Sequence, residues 1–256
     1  MAYAHGKHAG NKGDVWKHFV LAVVADALMS RKSFGPSFSY VDTHCSLGTF
    51  PLVGVHEWKD GIGRFYDRDW RLADHPYFAL ERRACESKNY LGSWMIVKEL
   101  LRSRGFEGNL RLFDTCESVA EVLSKEPGFL NANGFQAVLS DSNRADLILC
   151  DPPYSPEAQR KRDWRSNRDV ASKCTKDNLS ALIWYPVYRN EPPLAAFAES
   201  VIKEVRWPCR GANQVMCGCG MIALGPAGQI VRAIGSDLVE VAEALGGSVT
   251  PRLATT

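Results

Sequence analysis

The stretch Ala145-Asp146-Leu147-Ile148-Leu149-Cys150-Asp151-Pro152-Pro153-Tyr154 decides how this chain folds. Asp146–Cys150 reads as a strand, and Leu147 to Cys150 is a continuous apolar run with no polar alternation. That is the pattern of a strand buried on both faces of a sheet. The run stops at an acid followed by two prolines, which lack the N–H that a strand ladder needs. Asp151 is therefore expected at the carboxyl end of a sheet, where open α/β folds bind their ligands.

The same form recurs on either side. Phe38–Val41 ends in Asp42 and runs into the turn Thr43-His44-Cys45-Ser46-Leu47-Gly48, and Leu110–Phe113 ends in Asp114. Ala181–Tyr185, ended by Pro186, and Met221–Leu224, ended by Gly225-Pro226, are two further strands. Helices are expected over Asp14–Met29, Gly92–Leu101, Ala195–Val205 and Ser236–Leu245; the first has apolar residues at 15, 16, 19, 20, 23, 24, 27 and 28 and Asp14 as its N-cap. Strands alternating with helices predict an α/β fold with a parallel sheet. Residues 50–90 break the pattern, with seven basic and seven acidic residues interleaved with aromatics. They are expected to form a small helical insertion within a single domain spanning 1–256, with residues 1–13 as a mobile N-terminal arm.

The 256 residues are 45% hydrophobic and 23% charged, enough apolar content for a full core and unlike a disordered chain. The net charge of +2 excludes a histone-like basic chain but not a nucleic-acid enzyme with a local basic patch. Such a patch is present. Residues 157–176, directly after Tyr154, hold seven basic residues against three acids, among them Arg160, Arg162 and Arg165. A solvated loop is the bland alternative; a phosphate backbone is the functional one.

Eight scattered cysteines fit reduced core thiols, and Cys209, Cys217 and Cys219 lack the partner pair a zinc site needs, so no metal is expected. No signal peptide and no apolar stretch of membrane-spanning length is evident, so a soluble, cytoplasmic protein with no membrane partner is expected.

The chemistry of Asp151-Pro152-Pro153-Tyr154 follows from its donors and acceptors. The prolines stiffen the loop and leave carbonyls free to accept. The Asp151 carboxylate and the Pro152 carbonyl can both accept from one exocyclic NH₂ group. That pulls the amine toward tetrahedral geometry and frees its lone pair to attack an electrophilic methyl. Tyr154 would offer a flat face to a base taken out of its stack. The bland alternative is a turn with a capping Asp and a packed Tyr. A methyl donor, S-adenosylmethionine, would lie against the loop 42–48 with its final Gly48. Its ribose would meet an acid: Asp67 and Asp69 fit the usual spacing, but Asp114 ends a strand and is preferred.

The chain resembles the RlmJ-type methyltransferases, which methylate N6 of one adenine in 23S ribosomal RNA and were earlier described by catabolism of external DNA. The resemblance covers nearly the whole chain. It rests on Tyr3-Ala4-His5, His8-Ala9-Gly10-Asn11, Asp14-Val15-Trp16-Lys17-His18 and Asp42-Thr43-His44. Further along it rests on Gly92-Ser93, Asn133-Gly134-Phe135-Gln136, Asp151-Pro152-Pro153-Tyr154, Trp184-Tyr185-Pro186-Val187 and Gly220-Met221-Ile222. It implies a Rossmann-like class I S-adenosylmethionine-dependent methyltransferase sheet. It implies cofactor contacts for His18, His44, Ser93, Asp114, Asn133 and Gly134, with Asp151 as the catalytic acid. Cys45-Ser46-Leu47 stands where the family has a glycine-containing stretch, Asp114 where it has Glu, and Asn133 where it has Asp. Tyr3 and His5 would meet the flipped base, and Lys7, Lys12 and Lys17 the phosphates. The partner implied is large-subunit ribosomal RNA, and a monomer is expected. DNA adenine, guanine N2 and a protein amide are the alternative substrates, and a nucleic-acid-binding protein without catalysis is the alternative class.

Overall fold

The computed structural model describes residues 8–32, 37–53, 57–141, 145–188, 194–197, 200–208 and 216–252. The acid-tipped apolar runs pair where their burial requires. Strand β1 (Ser37–Asp42) lies between β4 (Glu107–Asp114) and β6 (Leu147–Cys150), parallel to both. Short strands complete a sheet in which β5 (Phe129–Asn131) forms one edge, beside β4, and β7 (Ala181–Val187) follows β6; both pairings are parallel. Beyond β7 come β9 (Gly218–Leu224), β8 (Val201–Arg206) and β10 (Ser248–Arg252), each antiparallel to the strand before it. The expected Rossmann-like α/β architecture is present, but the sheet is mixed rather than wholly parallel, because β9 and β10 run against the other six.

One expected helix is a strand. The span Ala195–Val205 holds a 3₁₀ turn at Leu194–Phe197 and then β8. Val201, Ile202 and Val205 are β-branched, and β8 is paired along its length with β9. That pairing outweighs the weak 3.6-residue pattern of the alanines before it.

Helices cover both faces of the sheet. On one side pack α1 (Lys12–Ser30), α3 (Ser93–Arg104), α4 (Glu117–Leu123), α7 (Pro226–Ala233) and α8 (Gly235–Ala244); on the other pack α5 (Gly134–Ser140) and α6 (Glu157–Asp177). Helix α1 is buried on nearly every side. Its outer surface is roofed by residues 57–86, which form two 3₁₀ turns (Glu57–Lys59, Ile62–Arg64) and helix α2 (Pro76–Glu86). The Phe19 ring lies 5.6 Å from that of Phe78, and burying each such ring contributes about 1.5–3 kcal/mol. Strands β2 (Thr49–Pro51) and β3 (Asn89–Leu91) pair antiparallel and close the base of this insertion.

Helix α1 starts earlier than expected. Its N-cap is Asn11, whose side chain accepts from Asp14 N–H at 2.9 Å, while the Asp14 carboxylate accepts from Gly10 N–H at 3.0 Å. Asp14 is thus the first-turn acid of a reciprocal cap, not the cap itself. Gly10 also accepts from Ile62 N–H at 2.9 Å, so residues 8–13 of the expected arm lie against the insertion. Tyr3, His5 and Lys7 lie outside the described residues. Cys217 is disulfide-bonded, which departs from the all-thiol expectation; Cys45, Cys85, Cys116, Cys150, Cys174 and Cys219 are free. Among the described residues no helix is long and apolar enough to cross a membrane.

Candidate active site

Asp114, Asp42 and Asp151 stand at the carboxyl ends of three neighbouring parallel strands, β4, β1 and β6. Asp42 pairs in register with Leu112 on one side and Leu149 on the other. Asp114 and Asp151 therefore each project two residues beyond Asp42. They form the two rims of a notch with Asp42 at its floor, at the point where the sheet order doubles back.

Asp42 is fully buried. Its Oδ2 accepts from Ser93 Oγ–H at 2.6 Å and Tyr40 O–H at 2.9 Å, and its Oδ1 from His44 N–H at 3.2 Å. Burial pushes its carboxyl up to about 6, although the hydrogen bonds from Ser93 and Tyr40 pull the other way. On the Asp114 rim, Oδ2 accepts from Ser46 N–H at 3.0 Å and Oδ1 from Cys116 N–H at 2.9 Å. Asp114, read as the ribose acid, thus also ties two loops together. Ser46 sits in the left-handed region with φ 51°, and its N–H is held by that carboxylate.

The loop glycines have specific reasons. A Cβ on Gly48, whose φ is 77°, would come within 2.2 Å of the Trp94 ring. One on Gly134 would lie 2.4 Å from the Thr43 carbonyl oxygen. Gly134 thus allows the start of α5 to lie directly on the loop after β1. Asn133 caps that helix through Oδ1, which accepts from Gln136 N–H at 3.2 Å. His44 lies against Phe135, ring centroids 4.8 Å apart, and burial lowers its imidazole to about 4. His18, on α1, meets the Tyr90 hydroxyl through Nδ1 at 2.6 Å, and burial lowers it to about 3. Both imidazoles are neutral at pH 7.

On the Asp151 rim the structure corrects the reading of Lys17. The residue is 7% exposed, and its Nζ lies 2.6 Å from Asp151 Oδ2 and 2.9 Å from Asp14 Oδ1. Burial disfavours its charge, but the two carboxylates outweigh burial and raise its pKa. Lys17 is a fixed counter-ion of Asp151, not a surface ligand for phosphate. The sign of its partner was hidden because the two are 134 residues apart. The Lys17 ammonium also lies 5.5 Å from the Trp184 ring centroid, so Trp184 joins the site.

Tyr154 is fully buried, with Trp164 and Trp184 at 5.4 and 6.1 Å. Of the two prolines before it, Pro152 is buried and Pro153 exposed. The open aromatic face expected of Tyr154 is covered in this structure, and the ring forms the wall behind the loop. Arg160 is also drawn inward. Its Nε donates to the Tyr154 carbonyl at 3.2 Å and its guanidinium stacks over Tyr188 at 4.3 Å. Arg162 is exposed and paired with Gln159, whereas Arg165 and Arg168 are exposed with no hydrogen-bond or ionic partner among the described residues. Lys161, Arg165, Arg168 and Lys176 fall along one exposed side of α6.

Comparison with known proteins gives a consistent picture. The family whose description reads "Ribosomal RNA large subunit methyltransferase D, RlmJ" matches residues 35–250. Two relatives are each called ribosomal RNA large subunit methyltransferase J. That of Haemophilus influenzae is 30% identical over 212 residues, covering 73% of this chain and 70% of the relative. That of Escherichia coli is 30% identical over 207 residues, with the same coverage of 73% and 70%. The crystal structure of protein LPL1258 from Legionella pneumophila superposes with a TM-score of 0.75 at 22% identity, covering 96% of this chain and 98% of that one, and so shares the fold.

Proposed function

The chain belongs to this family of ribosomal RNA large subunit methyltransferases, and we propose that it methylates N6 of an adenine in large-subunit ribosomal RNA, with S-adenosylmethionine as methyl donor. The observation that carries the reading is Asp151 at the rim of the notch, with Oδ2 clamped by Lys17 and Oδ1 bonded to no described residue.

The notch fits a cationic cofactor. Two carboxylic acids, Asp114 and Asp151, stand at its rims above the buried Asp42, its two imidazoles are neutral, and the Lys17 charge is matched by Asp14 and Asp151. His18, Asp42, His44, Gly48, Ser93 and Asp114 would hold the cofactor, with Asn133 and Gly134 at its adenine. S-adenosylmethionine, when bound, supplies an electrophilic methyl group.

The remaining work falls to the chain. Asp151 Oδ1 and the Pro152 carbonyl accept from the two N–H bonds of the target amine and orient its lone pair. Lys17 holds the carboxylate in place so that little reorganisation is needed as charge develops on the amine. The amine proton leaves afterwards through Asp151 or water. Pro153, exposed beside Asp151, and Trp184 are the surfaces offered to a flipped base. Lys161, Arg165 and Arg168 would meet phosphates, and Arg162 can join them once released from Gln159.

The test is transfer of labelled methyl from S-adenosylmethionine to deproteinised ribosomal RNA, with duplex DNA alongside and nucleoside analysis of the product. N6-methyladenosine from RNA is expected. Label in DNA only, or in guanine, would overturn the substrate; no transfer with no detectable cofactor binding would overturn the enzyme.

A further inference from the structure

We propose that Asp163 and Asn167, on the inner face of α6, are positioning residues that hold the Asp151–Tyr154 loop in its reactive shape. The proposal rests on the function inferred above.

The loop cannot hold itself. Pro152 and Pro153 carry no N–H, so Tyr154 supplies the first backbone donor after Asp151. That donor goes to a side chain: Tyr154 N–H to Asp163 Oδ2 at 3.1 Å. The Tyr154 hydroxyl donates to the Trp184 carbonyl at 2.8 Å and so must accept from its other neighbour, Asn167 Nδ2, at 2.5 Å. With Arg160 on the Tyr154 carbonyl, every polar atom of this tyrosine is engaged, three of them by residues 160, 163 and 167. Those positions recur at i, i+3 and i+7, one face of one helix. Gln159 in turn fixes Asp163 by donating to its Oδ1 at 2.6 Å.

Two unfavourable features coincide here. Tyr154 has φ 51°, a left-handed backbone for a bulky residue. Asn167 is fully buried with Oδ1 unpaired, where a leucine would fill similar space without an orphaned acceptor. Such features persist when the surroundings over-determine them, and they gather where geometry serves function. Here what they secure is the exit of the loop that presents the Asp151 carboxylate and the Pro152 carbonyl.

The test compares Asn167→Leu, Asp163→Ala and Asp163→Asn with the full-length wild type. Asn167→Leu and Asp163→Ala should lower kcat at least 10-fold while KM for cofactor and for RNA stays within about twofold. Asp163→Asn keeps an acceptor for Tyr154 N–H and should recover to within about threefold of wild type. Unchanged kcat, or a loss carried wholly by KM, would overturn the proposal. Amide hydrogen exchange at Tyr154 gives a reading independent of activity and of whether the variants fold. In wild type this amide should be protected at least 10-fold more than that of Ser155, and an unprotected amide would overturn the proposal. If the wild type methylated no RNA while Tyr154 stayed protected, the proposed function would fall and the loop brace would stand.

Discussion

Lys17 Nζ and Asp151 Oδ2 lie 2.6 Å apart, and the same ammonium reaches Asp14 at 2.9 Å. The arrangement is a partly buried triad of one cation between two anions, placed at the rim of the notch. Removing the cation leaves two carboxylates facing each other. Lys17→Met should therefore cost roughly 3–5 kcal/mol of stability, the scale for breaking a buried pair. It should also lower methyl transfer at least 100-fold, and Lys17→Arg should recover little, since a planar fork does not replace a compact ammonium. Urea midpoints and single-turnover rates check both. The contribution of Lys17 to stability is present below its ordinary pKa of 10.5 and fades only as pH rises through its raised folded value, so the loss should be constant across neutral pH.

Asp42 is shifted in the same direction, but its window lies in acid. Its folded carboxyl is raised from 3.8 to about 6, so the native state holds a proton the unfolded chain has released. Stability from this group is therefore greatest in acid and declines as pH rises from about 4 to about 6. Asp42→Asn removes the ionisation and should flatten that decline, while its Nδ2, a donor set against Ser93 and Tyr40 or against His44 N–H, offsets the gain at pH 7. It should weaken cofactor binding at least 10-fold. Denaturation of wild type and Asp42→Asn at pH 4.5 and 7.5, with calorimetric titration of S-adenosylmethionine, reads both; a stability difference between the two proteins that is the same at both pH values would refute the assignment, since His18 and His44 give each protein the same opposing slope.

Gly134→Ala forces a Cβ to 2.4 Å from the Thr43 carbonyl oxygen. Backbone must shift, so a loss of about 1–3 kcal/mol is expected together with weakened cofactor binding. A control, Gly105→Ala, meets nothing within 4 Å but keeps φ at 69°. It should cost stability without touching the cofactor.

The exposed stripe of α6 gives a salt-dependence test. Changing Lys161, Arg165 and Arg168 together to Gln should weaken RNA binding across sequences. It should also reduce the slope of log K against log salt by about 2, at about 0.7 per phosphate contact. Arg160→Gln should spare that slope, because its guanidinium is spent on Tyr154 and Tyr188. An unaltered slope in the triple variant would make the stripe mere surface.

The acid-tipped strands were legible in the sequence because each carries its own signal: a short apolar run, an acid, then a turn. Asp42, Asp114 and Asp151 were found that way. Lys17 reads as a phosphate ligand in the sequence because its carboxylate partner lies 134 residues away on another strand's loop, although its neighbours Val15, Trp16, Phe19 and Val20 already mark a buried helix. Asn133 reads as a site residue and, beneath that, as a helix cap, an ambiguity common to short amides. Strand β8 was missed because sheet pairing decided a segment whose local pattern pointed to a helix. The brace on Tyr154 is out of reach for the same reason as Lys17: the basic segment 157–176 carries too few apolar residues to read as a helix, and Asp163 and Asn167 look like ordinary members of a charged loop until the fold makes it helix α6 and turns them inward.

The notch has a consequence for how this protein tolerates change. Its width is set by two strand spacings, about 10 Å from the Asp114 rim to the Asp151 rim. Its depth is set by the two-residue overhang of those strands beyond Asp42. Both are counted in whole strands and whole residues, so the sheet acts as a ruler with coarse divisions. A deletion within β1 would move Asp42 to the other face or out of line, with no intermediate setting. Residues 57–86, closed off by a short two-stranded base, lie outside the eight-stranded sheet and set none of the marks on that ruler.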